Sequence, residues 1–130
     1  MSEVIAMPLF GFAFGLVLST VLTATAFAAD GDTSGEQLFN NNCRTCHSWK
    51  EGDNRLGPSL HGIVGRKAGS ISGYAFSPSM KQANITWDEA TLDKFIASPD
   101  SVVTGNNMKP FNGISDAQTR QKIIEFLKSK

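Results

Sequence analysis

Apolar residues are spread unevenly along this chain of 130 residues. From Val4 to Ala29 the side chains are almost wholly apolar or small. Beyond the acidic Asp30-Gly31-Asp32 the pattern becomes periodic. Ser34-Gly35-Glu36-Gln37 opens a helical stretch that carries Leu38 and Phe39 toward Cys43, with Ser34 as its N-cap. Glu36 lies where the positive end of that helix favours an acid. From Lys50 to Ser72 there is no sustained helical period. Gly57-Pro58-Ser59-Leu60 is turn chemistry, and Gly62, Gly65, Gly69 and Gly73 come too often for a stable strand or helix. Ser77 to Ala83 fits a short helix with Pro78 at its first position. Thr86-Trp87-Asp88-Glu89 reads as a capping box with Thr86 as N-cap, ahead of a helix that places Leu92, Phe95 and Ile96 on one face and ends before Pro99. Ser101 to Gly113 is irregular again. Ser115-Asp116-Ala117-Gln118 gives a second capping box, and Ile123, Ile124, Phe126 and Leu127 follow at helical spacing. The pattern predicts an all-α fold of three main helices, short helices and long loops. Gly35 inside a helix asks for a reason, and close approach of another helix supplies one. A loop as long as 50–72 in a small domain points to a wrapped ligand.

Length allows one domain. The apolar N-terminal run ends in Ala26-Phe27-Ala28, which fits a secretory signal peptide, residues 1–28, cleaved at an A-x-A site. The run lacks the usual positive flank, and at more than 20 residues it is also long enough to span a bilayer as a retained N-terminal membrane anchor. Either way, residues 29–130 form an exported domain. Formal charge is balanced, and loss of the leader leaves 12 basic against 11 acidic residues. Bulk charge therefore excludes a nucleic-acid binder.

The chain's two cysteines both lie in Cys43-Arg44-Thr45-Cys46-His47. Two thiols three apart, followed at once by an imidazole, read as a c-type haem attachment site. Residues i and i+3 share a face of one helical turn, so both thiols meet one edge of a porphyrin. His47 then turns inward as the proximal iron ligand. A thioredoxin-type pair would follow a strand in a βαβ unit, and no such strand precedes Cys43. A zinc site would need more cysteines or a close histidine pair, and His61 is the only other histidine. Export to an oxidising compartment favours a Cys43–Cys46 disulfide. Thioether formation needs both thiols reduced, which implies a dedicated maturation apparatus.

One protein ligand and an open iron site suit gas or peroxide chemistry, whereas two ligands suit electron transfer. Met108, Met80 and His61 are the candidates for the second ligand. Met108 is favoured because it lies in a loop far from His47, between Gly105-Asn106-Asn107 and Pro110. Met80 falls in a short helix and reads as packing, and His61 follows His47 too closely to reach the opposite face with ease.

The whole order resembles the class I cytochromes c: a helix, CxxCH, a Gly57-Pro58-Ser59-Leu60-His61-Gly62 loop, Gly65-Arg66-Lys67, Asn84-Ile85-Thr86-Trp87 leading a helix, a Met loop and a terminal helix. It looks closest to the mitochondrial type and its bacterial periplasmic relatives, from about Gly35 to Lys128. The resemblance implies the class I fold around one covalent haem c, with Cys43 and Cys46 as thioethers and His47 and Met108 as axial ligands. It implies that the Pro58 carbonyl orients His47 and that Arg66 and Trp87 sit at the haem propionates. It also implies that Gly35 and Phe39 cross against Phe126, and that Lys109, with Lys50, Lys67 and Lys81, rims the haem edge to steer acidic partners.

Two tyrosines usual in the family are replaced by Phe76 and Phe95. Tyr74 is the nearest partial substitute for the first, and Asn107 and Pro110 alter the Met loop. The function implied is a single-electron carrier in the periplasm, not an enzyme. It would shuttle between a quinol–cytochrome c reductase and a terminal oxidase or photosynthetic reaction centre. The competing reading is a haem protein whose labile methionine gives way to peroxide or a gas.

Overall fold

The computed structural model describes residues 33–130 together with Gly11, so the leader or anchor reading of residues 1–28 lies outside the described residues. Helix α1, Gly35–Asn42, starts where Ser34 Oγ accepts the Gln37 N–H at 3.2 Å. It ends as the sequence predicts, after its asparagine run. Helix α5, Ala117–Lys128, crosses α1, with the Phe39 and Phe126 rings 5.6 Å apart. A Cβ on Gly35 would stand 2.9 Å from Phe126 Cβ and closer still to the Lys122 carbonyl. The glycine is therefore the condition for the crossing, as expected.

Helix α2 is the short Pro78–Gln82, capped by Ser77. Helix α3, Glu89–Ala97, buries Leu92, Phe95 and Ile96 and packs on α5. Arg120 binds this pair together, its Nε donating to Asp93 Oδ1 at 2.7 Å and its Nη1 to the Ile114 and Ser115 carbonyls at 2.9 and 2.8 Å. The core gathers around Phe39, Ile123 and Leu127, all essentially sealed from solvent. Burying one such side chain stabilises the fold by roughly 1.5–3 kcal/mol.

Both helix starts move from the predicted position. Asp88, not Thr86, caps α3 by accepting the Thr91 N–H at 2.7 Å. Asp116, not Ser115, caps α5 through the Thr119 N–H, also at 2.7 Å. A carboxylate is the stronger acceptor at a positive helix end. In addition, Thr86 is held in an extended pairing with Lys67, flanked by Trp87 N–H to Arg66 O at 2.9 Å and Ala68 N–H to Ile85 O at 2.8 Å. Among the described residues this bridge is the sole β pairing. Between the end of α3 and the irregular run expected from Ser101 lies a one-turn helix α4, Pro99–Val102, which takes in the first two residues of that run and packs on α3. No helix among the described residues is long and apolar enough to cross a membrane.

Candidate cofactor site

Past α1 the chain makes one more turn. The Cys43 N–H bonds the Phe39 carbonyl at 2.8 Å, and the His47 N–H bonds the Cys43 carbonyl at 2.9 Å. That turn sets Cys43, Cys46 and His47 on the wall of one cavity of about 660 Å³. Both cysteines are free thiols, and burial, helped by the neighbouring Cys46, pushes Cys43 up to about 12. Cys43 is thereby kept neutral, and the two do not form a disulfide.

His47 is buried and donates Nδ1–H to the Pro58 carbonyl at 2.8 Å. A carbonyl only accepts, so the proton sits on Nδ1 and the Nε2 lone pair is free for a metal. Burial lowers the imidazole pKa, against the Pro58 bond that raises it, and the Arg66 charge lowers it further. The ring therefore stays neutral, the form a metal needs. A Cβ on Gly57 would lie 2.7 Å from His47 Nδ1 and 2.8 Å from Nε2, so the loop backbone is laid directly on the ring.

Ser59, fully buried, fixes that loop. Its Oγ donates to the Lys50 carbonyl at 2.6 Å and accepts the His61 N–H at 3.2 Å, and its own N–H meets Asn54 Oδ1 at 2.9 Å. Gly57 N–H to Cys46 O and Leu60 N–H to Ser48 O, both 2.7 Å, close the structure around the imidazole. Arg66 adds Nη2 to the Ser59 carbonyl at 2.9 Å and Nη1 to the His61 carbonyl at 3.0 Å.

The cavity brings together every site residue expected from the sequence: Cys43, Cys46, His47, Pro58, Arg66, Trp87 and Met108. Its volume falls within the range of cofactor sites, and its walls are mainly apolar, which suits a flat hydrophobic group. Met80 lines it as well, while His61 is exposed and does not. Phe76 and Phe95 both face the cavity. Phe95 packs on Trp87 at 4.9 Å, and Phe76 meets Tyr74 edge-on at 4.9 Å. The Tyr74 hydroxyl, expected as a partial substitute for the missing tyrosine, instead donates to the Leu56 carbonyl at 2.9 Å. Both Tyr74 and Leu56 line the cavity.

The expected lysine rim is divided. Lys67 and Lys109 line the cavity, Lys81 is exposed on α2, and Lys50 Nζ lies 6.0 Å from the Trp49 ring. Lys109 is not free, since Nζ pairs with Asp100 Oδ2 at the surface.

Sequence reasoning passed over Asn106, which is 3% exposed. Its Oδ1 accepts the Met108 N–H at 2.9 Å, and its Nδ2 donates to Asp100 Oδ1 and to the Val103 carbonyl, each at 2.9 Å. An Asn bonding the backbone two residues on is an Asx-turn, and Asn-Asn ahead of Met108 carried that signal.

Comparison with known proteins agrees with the geometry. The family model described as cytochrome c matches residues 33–130. The chain is 46% identical over 87 residues to cytochrome c2 iso-2 of Magnetospirillum molischianum, covering 67% of this chain and 89% of that one. It is 42% identical over 111 residues to cytochrome c2 of Rhodomicrobium vannielii, covering 82% and 85%. Among solved structures it is similar to cytochrome cH from Methylobacterium extorquens, with 43% identity, a TM-score of 0.68 and coverage of 74% and 95%.

Proposed function

The chain belongs to the cytochrome c family, a family of electron carriers with covalently attached haem c, and we propose that this member is a His47/Met108-ligated single-electron carrier. The observation that carries the reading is the shared cavity. Two free cysteines, an imidazole with its outer nitrogen already engaged, and a loop methionine converge on one apolar space. The donor set fits haem c. Sulfur acceptors for two vinyl groups, one nitrogen and one thioether are the groups such a cofactor needs. Bound there, haem c supplies an iron that gains and loses one electron.

The chain's own part is to hold and shield. Cys43 and Cys46 fix the edge of the plate, and Pro58 sets the plane and basicity of His47. Met108 contributes a polarizable thioether that favours the reduced state. Arg66 and Trp87, on the cavity wall, would supply the propionates with charge and an indole donor. The apolar wall of Leu92, Phe95 and Ile123 would keep water from the metal. An electron carrier needs no acid–base pair or substrate pocket, and we read this chain as a carrier and not as an enzyme.

The export reading and the resemblance together support work in the periplasm, after removal of residues 1–28. The donor would be a quinol–cytochrome c reductase, and the acceptor a terminal oxidase or photosynthetic reaction centre.

The test is Met108→Ala in the haem-loaded protein, checked on a haem-stained gel and by oxidised and reduced spectra. The haem should stay attached while the sulfur-to-iron charge-transfer band of the ferric form disappears. Survival of that band would show Met108 to be the wrong residue. Rapid, complete carbon monoxide binding by the unaltered ferrous protein at neutral pH would instead favour the gas-binding reading. N-terminal sequencing of the exported protein separates a cleaved leader from an anchor.

A further inference from the structure

The loop that carries Met108 is joined to the body of the protein at few points. Between Asn106 and the Ile114 N–H, which bonds Ile96 O at 2.9 Å, the backbone–backbone bond present among the described residues is local, from Lys109 N–H to Asn107 O at 2.8 Å. What reaches across is side chain. Asn106 takes the Met108 N–H on Oδ1, and its amide nitrogen is held by Asp100 Oδ1 and the Val103 carbonyl. The other carboxylate oxygen of Asp100 takes Lys109 Nζ. One carboxylate thus grips the loop on both sides of Met108.

Asp100 itself stands on a fixed base. It belongs to α4, whose Pro99 and following Val103 are buried in the core, and Thr104 Oγ1 donates to its carbonyl at 3.0 Å. The two grips differ in weight. The Lys109–Asp100 pair is about half exposed at both partners, and such pairs contribute little. Asn106 is buried, and its Oδ1 is the acceptor that holds the Met108 N–H.

We propose that Asn106, braced by Asp100, is the positioning residue that holds Met108 at the cavity and so sets how readily another ligand takes its place. This rests on the reading of Met108 as an iron ligand. Asn106 does not touch the reacting group. It acts through the Met108 backbone, by removing the loop's freedom to swing away.

The experiment titrates the ferric haem-loaded protein with imidazole, a nitrogen ligand that must displace the thioether, and follows loss of the charge-transfer band. Asn106→Ala should tighten imidazole binding about tenfold to a hundredfold, as expected when one buried and two part-buried hydrogen bonds are removed from the closed loop. Asp100→Asn keeps an acceptor oxygen for Asn106 and loses the charge, and should tighten binding about threefold or less. Phe126→Leu, at the α1–α5 crossing outside the cavity, should lower global stability and leave imidazole affinity unchanged.

The proposal falls if Asn106→Ala stays within twofold of the unaltered protein, or if Phe126→Leu shifts affinity equally. Should Asn106→Ala fail to accumulate, Asp100→Ala carries the test, with an expected shift of about tenfold from removal of both grips. Failure of the ligand reading looks different: Met108→Ala would then leave both the band and the imidazole affinity untouched.

Discussion

On the His47 side of the cavity, each segment that touches the ring is tied to chain nine or more residues away. Gly57 reaches Cys46, Leu60 reaches Ser48, and Ser59 reaches Lys50. On the Met108 side the ties are fewer and mostly side chain, Asn106 to Val103 and to Asp100 and Lys109 to Asp100, with one backbone bond inside the loop. The difference is one of mounting. The proximal segment is a buried network in which backbone groups satisfy one another. The distal segment is a loop of restricted but not eliminated freedom, hung from one buried asparagine. Fixing a residue's backbone costs about 1–2 kcal/mol in lost conformational entropy, so a loop held at few points is the part that yields first. Under the proposed His47/Met108 ligation, that asymmetry makes Met108 the ligand that exchanges.

The comparison breaks most directly at Gly57. An alanine there forces a methyl group onto the imidazole, whose Nδ1 is already tied to the Pro58 carbonyl. Gly57→Ala should cost about 3 kcal/mol, the upper part of the range for overpacking, measured by denaturant unfolding. A cost below 1 kcal/mol would mean that the proximal wall is as yielding as the distal one.

Ser59 is the next test. Ser59→Ala strips the Lys50 carbonyl and the His61 N–H of a partner in a fully buried place, at an expected cost of about 2 kcal/mol. The effect should appear in unfolding and leave imidazole affinity on the distal side unmoved. A large change in imidazole affinity would show that the two sides are coupled, not separately mounted.

Much of this was legible in advance, and the exceptions share a cause. The CxxCH turn, the bare Gly35 and the apolar faces of α3 and α5 are local patterns, so the sequence displays them. The helix starts missed by one or two residues because Asp88 and Asp116 compete with the hydroxyl caps beside them, and only Thr86's pairing with Lys67 decides the first case. Asn106 was missed for a deeper reason. An Asx-turn is visible in sequence, but the brace from Asp100 exists only because α4 forms at the edge of a stretch that reads as irregular. Likewise, nothing in the order of residues says that Tyr74 gives its hydroxyl to Leu56 or that Lys109 is already paired. Those are properties of loops brought together by packing.

Amide hydrogen exchange reads the asymmetry without any mutation. In the haem-loaded protein the Gly57 and Leu60 N–H groups should exchange near the global unfolding limit, while Met108 N–H should exchange at least about tenfold faster, roughly 1.4 kcal/mol of easier opening. Equal protection on the two sides would erase the distinction.

The smallest expected effect concerns the helices that support both sides. Asp116 has its carboxyl held below the usual range, chiefly by the Thr119 side chain and then by the backbone N–H it caps. Its folded pKa lies below its unfolded value. In the window between them the unfolded chain binds more protons, so stability rises with pH there. The contribution is complete above the unfolded value near 3.8 and is lost as pH falls through the folded one. Asp88 behaves the same way through Thr91. Thermal midpoints between pH 2.5 and 6 should therefore fall on the acid side for the unaltered protein, and Asp116→Asn should flatten that slope, since an asparagine caps without titrating. This loss belongs to α5, which backs the whole cavity, so it should weaken imidazole resistance on the Met108 side no more than it weakens the fold. A steeper loss on the Met108 side alone would place the acid sensitivity in the loop and not in the helix cap.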